Sequence, residues 1–218
     1  MSSLSSLDRR FYLDVNEFAR QTSFAHTFMK YYALYGGVVL LAVLVLWSYF
    51  RARKAQNPKV SVDKALWVAA GTLIALGLNQ PLSHLVGRIR PYYAIRGVEV
   101  LVPKANDFTF PSDHATVAGA VIIGLLLSDA PTGIIAAILG LFLAFARVYV
   151  GAHYPGDVIG GLVFGALVVV VLRPIGNAII SRITNVIAKS PLCSCTSCND
   201  LSPSTLVFSV THSRRLEN

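Results

Sequence analysis

The stretch Ala146-Arg147-Val148-Tyr149-Val150-Gly151-Ala152-His153-Tyr154-Pro155-Gly156-Asp157 closes one long apolar run and opens the next. It places an arginine, a histidine and an aspartate at a boundary between apolar segments, where unpaired charge is costly. Two further polar clusters, RIRP at 88–91 and FPSDH at 110–114, also lie at the ends of apolar runs. We expect the three clusters to converge on a single site.

The composition indicates a membrane protein. Of the 218 residues, 54% are hydrophobic and 14% are charged, and the mean hydropathy is +0.58, which is far more apolar than an ordinary soluble domain. The formal charge is +8, from 19 basic and 11 acidic residues. In a soluble protein this excess would suggest nucleic acid. Here we attribute it to basic cytoplasmic loops and an anionic substrate, and expect no nucleic-acid partner.

Successive apolar runs predict an all-α, polytopic membrane bundle of about five transmembrane helices, since one crossing needs about 20 apolar residues. The runs are 31–50, 65–86, 115–128, a fourth that ends near residue 147, and 158–172, which continues as a helix to 189. Three glycines in the last run, Gly160, Gly161 and Gly165, allow close helix packing.

The ends of the chain differ from its middle. Apolar positions 11, 15, 18 and 19 recur at helical spacing among charged residues, which predicts an amphipathic helix that lies on the membrane or packs against the bundle. We therefore divide the chain into an N-terminal amphipathic arm, 1–30, a membrane domain, 31–189, and a disordered tail, 190–218. The tail holds Cys193, Cys195 and Cys198, a spacing that is only a weak zinc signal.

Counting the crossings places all three polar clusters on one face. The 51–64 loop, the 129–131 turn and the tail fall on one side, and the 87–110 loop and the 151–156 turn fall on the other. Because the 51–64 loop is strongly basic, its side is predicted to be cytoplasmic. The clusters then face the outside of the cell membrane.

The residue types in the clusters suit phosphoryl transfer, which needs cations around the phosphate oxygens, a nucleophile and an acid. Arg90 and Arg147 can bind the oxygens through their planar forks, and Ser112 lies at a predicted helix start, where free N–H groups favour anions. His114 and His153 can supply the acid and the nucleophile. A carboxylate at Asp157, four residues after His153, can accept the imidazole N–H and hold its tautomer.

Other interpretations of the same residues stay open. Asp113 and Asp157 could merely favour their helix N-termini, and Arg147 could be an interfacial anchor. A zinc site from His84, His114, His153 and Asp157 is a further possibility, although the arginines would repel the metal. We expect no metal and no cofactor.

At these positions the chain resembles the type 2 phosphatidic acid phosphatase (PAP2) superfamily, the membrane relatives of vanadium haloperoxidases. The family signature consists of K-x6-R-P, P-S-G-H and S-R-x5-H-x3-D. Here the second block appears at residues 111–114, the third at 146–157, and the first survives as Arg90-Pro91. The resemblance implies a helical bundle and a metal-independent phosphatase.

The resemblance also implies roles for the matching residues. His153 resembles the nucleophile that becomes phosphohistidine, Asp157 its orienting partner, and His114 the acid that protonates the leaving group. Arg90, Arg147 and Ser112 resemble phosphate ligands.

The chain departs from the family pattern at three positions. Ser83 and Ala146 stand where the family has a lysine and a serine, and Arg88 is a candidate substitute for the missing cation. Asp113 replaces the usual glycine, a form that resembles the branch of bacterial undecaprenyl-diphosphate phosphatases, so we count Asp113 among the phosphate-site residues.

The leading hypothesis is therefore a multi-pass cell-membrane enzyme that removes the terminal phosphate of a polyprenyl diphosphate at the extracytoplasmic face. Its partners would be the lipid substrate and the bilayer. A phosphatase for phosphatidic acid or phosphatidylglycerol phosphate uses the same residues. A non-catalytic binder or transporter of phospholipid headgroups would explain Ser83 and Ala146.

Overall fold

The computed structural model describes residues 3–189, and this part of the chain is all-α. The α-helices are α1 (Ser3–Gln21), α2 (His26–Tyr31), α3 (Gly37–Ala52), α4 (Pro58–Val86), α5 (Pro91–Ala94), α6 (Asp113–Leu126), α7 (Ala130–Tyr149) and α8 (Pro155–Lys189). A 3₁₀ turn, Ser23–Ala25, and a π-helical segment, Tyr32–Gly36, connect α1, α2 and α3. The predicted tail and its cysteines lie outside the described residues.

Proline and glycine set several helix ends. Proline opens α4 at Pro58 and α8 at Pro155, positions where its missing N–H costs nothing. Gly87 ends α4 with a positive φ of 60°, and its N–H donates to the Ser83 carbonyl at 3.0 Å. Helix α4, which corresponds to the second predicted crossing, thus begins at Pro58 and not at residue 65. Its first turn, which follows the proline, is polar and was therefore outside the apolar run.

Four helical segments are long and apolar enough to cross a membrane: Ser23–Ala52, Pro58–Ala94, Ala130–Tyr149 and Pro155–Val186. The third predicted crossing corresponds to α6, which has only 14 residues. At 1.5 Å per residue α6 is about 21 Å long, shorter than the bilayer core of about 30 Å.

Helix α6 lies at the centre of the bundle and packs against α3, α4, α7 and α8. Its contact with α8 depends on glycine, because a Cβ added to Gly119 would collide with the Leu162 carbonyl, and one added to Gly165 would collide with the Thr116 carbonyl. The close packing predicted for the glycines of the last run is confirmed.

The outer surface of the bundle is apolar. Leu73 of α4, Ile138 of α7 and Val171 of α8 are 70%, 67% and 65% exposed, whereas Leu125 of α6 is fully buried. Apolar side chains that face outward along the middle of long helices indicate contact with lipid.

The helices alternate in direction, so the bundle has two different ends. At one end the α3–α4 loop meets the start of α7 through Arg51 and Asp129, 3.6 Å apart, and Lys59 bonds Asn185 of α8. The other end brings together the end of α4, the start of α6 and the turn between α7 and α8.

Helix α1 packs against this second end, which is one of the two placements that its sequence allowed. Tyr12, Asn16 and Ala19 are buried there, and the Asn16 amide pairs with the Glu99 backbone at 2.8 and 2.9 Å. Phe11 on the opposite face is 60% exposed.

Candidate active site

A cavity of about 170 Å³ opens at the end of the bundle that α1 covers. It is lined by side chains from α4, α6, α7, the 87–112 loop and the α7–α8 turn: Gln80, Ser83, His84, Arg90, Asp107, Phe108, Pro111, Asp113, His114, Arg147 and His153. The structure thus brings all three sequence clusters to one cavity.

His153 lies buried at this cavity, and its contacts fix its tautomer. Its Nε2 is 3.4 Å from both Arg90 Nη1 and Arg147 Nη2. Guanidinium groups only donate, so Nε2 must be the accepting nitrogen. Nδ1 then carries the hydrogen and donates to the Thr109 carbonyl at 2.9 Å. The lone pair of His153 Nε2 therefore points between two cations.

The pKa of His153 is lowered well below its usual value, because the ring is buried and the guanidinium groups of Arg147 and Arg90 lie beside it. In the unfolded chain His153 has an ordinary pKa of about 6.5. As the pH falls, the unfolded chain therefore binds this proton at a higher pH than the folded chain does. The stability that the neutral ring contributes is complete above about pH 6.5 and is lost as the pH falls below that value.

We expect ¹⁵N NMR of histidine-labelled protein in detergent to show His153 neutral and Nδ1-protonated at pH 6.5, because protonation would place a third cation beside two guanidiniums. The His153→Asn variant assigns the signal by difference, and denatured protein provides the reference titration near pH 6.5. A titration midpoint at or above 6.5 in the folded protein would contradict the assignment.

Arg147 is buried and incompletely satisfied. Its Nη1 donates to the Ala33 carbonyl at 3.1 Å, while its Nε has no hydrogen-bond partner among the described residues. A buried donor without a partner is costly, and a bound anion would relieve that cost. Ala33 lies in the π-helical segment, a type of irregularity found frequently at functional sites.

Arg90 is held by an acidic residue that the sequence reasoning did not single out. Its Nε and Nη2 donate to the two carboxylate oxygens of Asp107 at 2.6 and 3.0 Å, and its Nη1 donates to the Ala152 carbonyl at 3.2 Å. This fork fixes the guanidinium plane, so that Nη1 faces His153.

Asp157 acts on His153 through an intermediary, which corrects the expectation of a direct hydrogen bond. Its Oδ2 is 4.0 Å from His153 Nδ1, too far for such a bond. Instead, Thr109 Oγ1 donates to Asp157 Oδ2 at 2.6 Å and lies 3.1 Å from Nδ1. The Tyr154 N–H also donates to Oδ2, at 2.9 Å. Thr109 was missed because it lies in a loop without periodicity.

Arg88 is committed to carboxylates, which corrects its expected role as a phosphate ligand. Its Nη1 donates to Asp157 at 2.6 Å, its Nη2 donates to Asp8 at 2.5 Å, and its guanidinium carbon lies 4.2 Å from the centre of the Tyr154 ring. Arg88 is not among the residues that line the cavity, whereas Ser83, which stands at the position of the family lysine, is.

Asp113 lines the cavity with its carboxylate held by amides of α4. Asn79 Nδ2 donates to Asp113 Oδ1 at 2.6 Å, and Gln80 Nε2 donates to the same oxygen at 3.1 Å. Asn79 is fully buried and also accepts from Thr116 Oγ1 at 3.1 Å. This network fixes the orientation of Asp113, although a carboxylate cannot donate to a phosphate oxygen.

The two remaining predicted residues are placed differently. His114 lines the cavity, and its Nε2 makes a long contact of 3.4 Å with the Leu34 carbonyl, which leaves the ring available to a ligand. Ser112 is fully buried, and its hydroxyl has no partner among residues 3–189. It is not one of the residues that line the cavity, and its role as a phosphate ligand stays a prediction.

The zinc alternative finds no support in the arrangement of donors. Within the described part of the chain, no group of three or more His, Cys, Asp or Glu side chains is placed to hold a metal ion. Both ring nitrogens of His153 already face other partners, one a carbonyl and the other two arginines.

A bundle of membrane-length helices and a cavity with two buried arginines and three histidines define a membrane protein that handles phosphate. The chain belongs to the PAP2 superfamily, whose family profile matches residues 64–180. It is accordingly a phosphatase, a hydrolase that acts on phosphate groups, and family membership implies lipid phosphate substrates.

Individual relatives agree with this placement. The chain is 31% identical over 141 residues to the undecaprenyl-diphosphatase BcrC of Bacillus subtilis, covering 65% of this chain and 68% of the relative. It is 34% identical over 98 residues to an undecaprenyl-diphosphatase of Sulfolobus acidocaldarius, covering 43% and 46%. The matches thus span from about half to about two thirds of these relatives.

The fold also matches a solved structure. A transmembrane PAP2-type phosphatidylglycerolphosphate phosphatase from Bacillus subtilis superposes with a TM-score of 0.59 at 22% identity, over 82% of this chain and 89% of the other. This likeness supports the helical-bundle fold of a membrane PAP2 protein.

Proposed function

We propose that this protein removes the terminal phosphate of a polyprenyl diphosphate, undecaprenyl diphosphate in particular, and so regenerates the lipid carrier used in cell-wall synthesis. The observation that carries the proposal is the lone pair of His153, which points between the guanidinium groups of Arg90 and Arg147 at 3.4 Å from each. A phosphate bound by both arginines would present its phosphorus to that nitrogen.

The reaction follows from these positions. His153 Nε2 attacks the terminal phosphorus and forms an N–P bond, while the bond from phosphorus to the bridging oxygen breaks. The electron pair goes to the bridging oxygen, and His114 donates a proton to that oxygen. Water then attacks the phosphohistidine with His114 as the base, the N–P bond breaks, and inorganic phosphate leaves with His153 neutral again.

The surroundings of His153 suit the charge that develops on its ring. As Nε2 attacks, the imidazole becomes positive, and the Nδ1–H bond to Thr109 strengthens because Asp157 lies behind the threonine hydroxyl. Arg90 and Arg147 at the same time stabilise the negative oxygens of the transferring phosphoryl group.

Two observations support a diphosphate lipid as the substrate. The relatives at 31% and 34% identity are named undecaprenyl-diphosphatases. In addition, Gln80, Ser83 and His84 on one face of α4 line the cavity beyond the two arginines. These hydrogen-bonding side chains provide partners for a second phosphate.

The same proposal places the cavity at the extracytoplasmic face. The basic 51–64 loop lies at the opposite end of the bundle, where Arg51 and Lys59 contact α7 and α8. Basic loops favour the cytoplasmic side, and the alternating helices then bring the cavity to the outer surface.

The experiment is release of inorganic phosphate by purified protein in detergent, with and without EDTA, from undecaprenyl diphosphate, phosphatidic acid and phosphatidylglycerol phosphate. We expect the highest kcat/KM with the diphosphate and no effect of the chelator. Preference for a glycerolipid would reassign the substrate. Tight binding of all three lipids without phosphate release would contradict the proposed reaction.

A further inference from the structure

Among the contacts of helix α1 with the catalytic end of the bundle is one acidic side chain, Asp8. The Asp8 side chain is mostly buried, with 14% of it exposed. One of its oxygens accepts from Arg88 Nη2 at 2.5 Å, and the other accepts from the Gly156 N–H at 2.7 Å. Gly156 is the second residue of α8 and directly precedes Asp157. Asp8 therefore contacts Arg88, which donates to the Asp157 carboxylate, and Gly156, the residue that precedes Asp157.

From Asp8 a continuous chain of short contacts leads to His153. Arg88 Nη1 donates to Asp157 Oδ1 at 2.6 Å, Asp157 Oδ2 accepts from Thr109 Oγ1 at 2.6 Å, and the Thr109 carbonyl accepts from His153 Nδ1 at 2.9 Å. Each contact in this chain is short, and the charges of Asp8, Arg88 and Asp157 alternate in sign. We infer that Asp8 is a positioning residue for the nucleophile, and that α1 is thereby part of the active site.

The physical reason lies in the position of Arg88 between two carboxylates. With Asp8 present, one guanidinium arm is anchored on α1 and the other is aimed at Asp157. Without that anchor the guanidinium can rotate over the Tyr154 ring, which it faces at 4.2 Å. Asp157 and Thr109 would then lose the support that holds the Nδ1–H side of the His153 ring in place.

The local structure keeps Asp8 close to α8. A Cβ added to Gly156 would lie 3.0 Å from Asp8 Oδ2, so the glycine allows the carboxylate to approach the helix end. Tyr12, one turn further along α1, is buried, packs against Tyr154 at 5.3 Å between ring centres and donates to the Gly151 carbonyl at 3.3 Å. Helix α1 is therefore seated rigidly enough for Asp8 to orient Arg88.

The inference rests on the proposed function, and its test measures phosphate release together with ring geometry. Asp8→Asn is expected to lower kcat by about tenfold to a hundredfold with little change in KM, since displacing a reacting group by about 1 Å can have effects of this size. Asp14→Asn, an exposed change on the same helix, is the matched control and should keep the wild-type kcat.

Two further variants separate positioning from mere packing of α1. Asn16→Ala removes the contact of α1 with Glu99 but leaves the chain to His153 intact, and should leave kcat near the wild-type value. In an Arg88→Gln background, Asp8→Asn should cause little additional loss, because both changes break the same chain. The inference would be overturned if the losses of kcat in Arg88→Gln and Asp8→Asn were additive in the double variant. It would also be overturned if Asn16→Ala lost as much kcat as Asp8→Asn.

A spectroscopic measurement makes the test independent of turnover. The ¹⁵N signals of His153 should shift in Asp8→Asn, because the Nδ1–H bond to Thr109 loses its support, and stay unchanged in Asp14→Asn. If Asp8→Asn does not yield monodisperse protein, Arg88→Gln tests the same chain, and a fully active Arg88→Gln would refute it. If the wild type released no phosphate from any lipid, the proposed function would fail, while the NMR comparison would still decide the role of Asp8.

Discussion

Replacing His153 by alanine is expected to abolish phosphate release, with a loss greater than about 10⁴-fold in kcat. The ring directs the lone pair of its Nε2 between Arg90 and Arg147, at 3.4 Å from each. Alanine leaves both arginines in place, so a lipid diphosphate should still bind. Phosphate release and lipid binding are measured on the same preparation, and retained binding shows that the site is intact.

The covalent intermediate gives a second measurement of the same prediction. Brief incubation of the wild type with ³²P-labelled substrate, followed by alkaline denaturation, should leave acid-labile label on the protein, whereas His153→Ala should carry none. His26→Asn is the control, since His26 bonds the Ala19 carbonyl and is not one of the cavity residues. Full activity in His153→Ala, or label that persists in it, would end the assignment of His153 as the nucleophile.

The outline of the fold could be predicted because membrane insertion constrains sequence strongly. A spanning helix must be apolar along its length, so the long segments were apparent as uncharged runs. Helix α6 differs from the long segments: eight of its 14 residues are buried, and protein contact there replaces the lipid contact that sets the length of a span. The predicted run, 115–128, nevertheless has the length of α6 and is displaced from it by two residues.

The candidate site could be predicted in part. Arg90, Arg147, His114 and His153 line one cavity because helix ends on the same side of a bundle must meet. Asp107 and Thr109 lie in an aperiodic loop, where side chains of ordinary types carry no spacing signal.

Arg88 was misread for an instructive reason. Charge alone does not tell whether a cation faces a ligand or a carboxylate of the same protein, and the carboxylate at Asp8 lies 80 positions away in sequence. Local patterns could not reveal that contact, because it forms only when α1 packs on the turn between α7 and α8. The long-range partner, and not the residue type, decided the role.

Replacing His114 by asparagine is expected to cause a loss that depends on the leaving group. A general acid contributes about 10²–10⁴-fold where the departing oxygen is strongly basic. The loss should therefore be largest for alkyl phosphates, smaller for a lipid diphosphate and smallest for p-nitrophenyl phosphate. The measurement is kcat/KM across such a series for the wild type and the variant, with the slope against leaving-group pKa as the readout.

His84→Asn is the matched control, because His84 lines the same cavity from α4 and packs against Phe108 at 5.5 Å between ring centres. A histidine that only contacts the substrate should lower all members of the series alike and leave the slope unchanged. If His114→Asn also gives a uniform loss, His114 binds phosphate and does not donate the proton. A steeper slope in His114→Asn, and not in His84→Asn, would assign the proton transfer to His114. The ring of His114 makes only a long contact, 3.4 Å, with the Leu34 carbonyl.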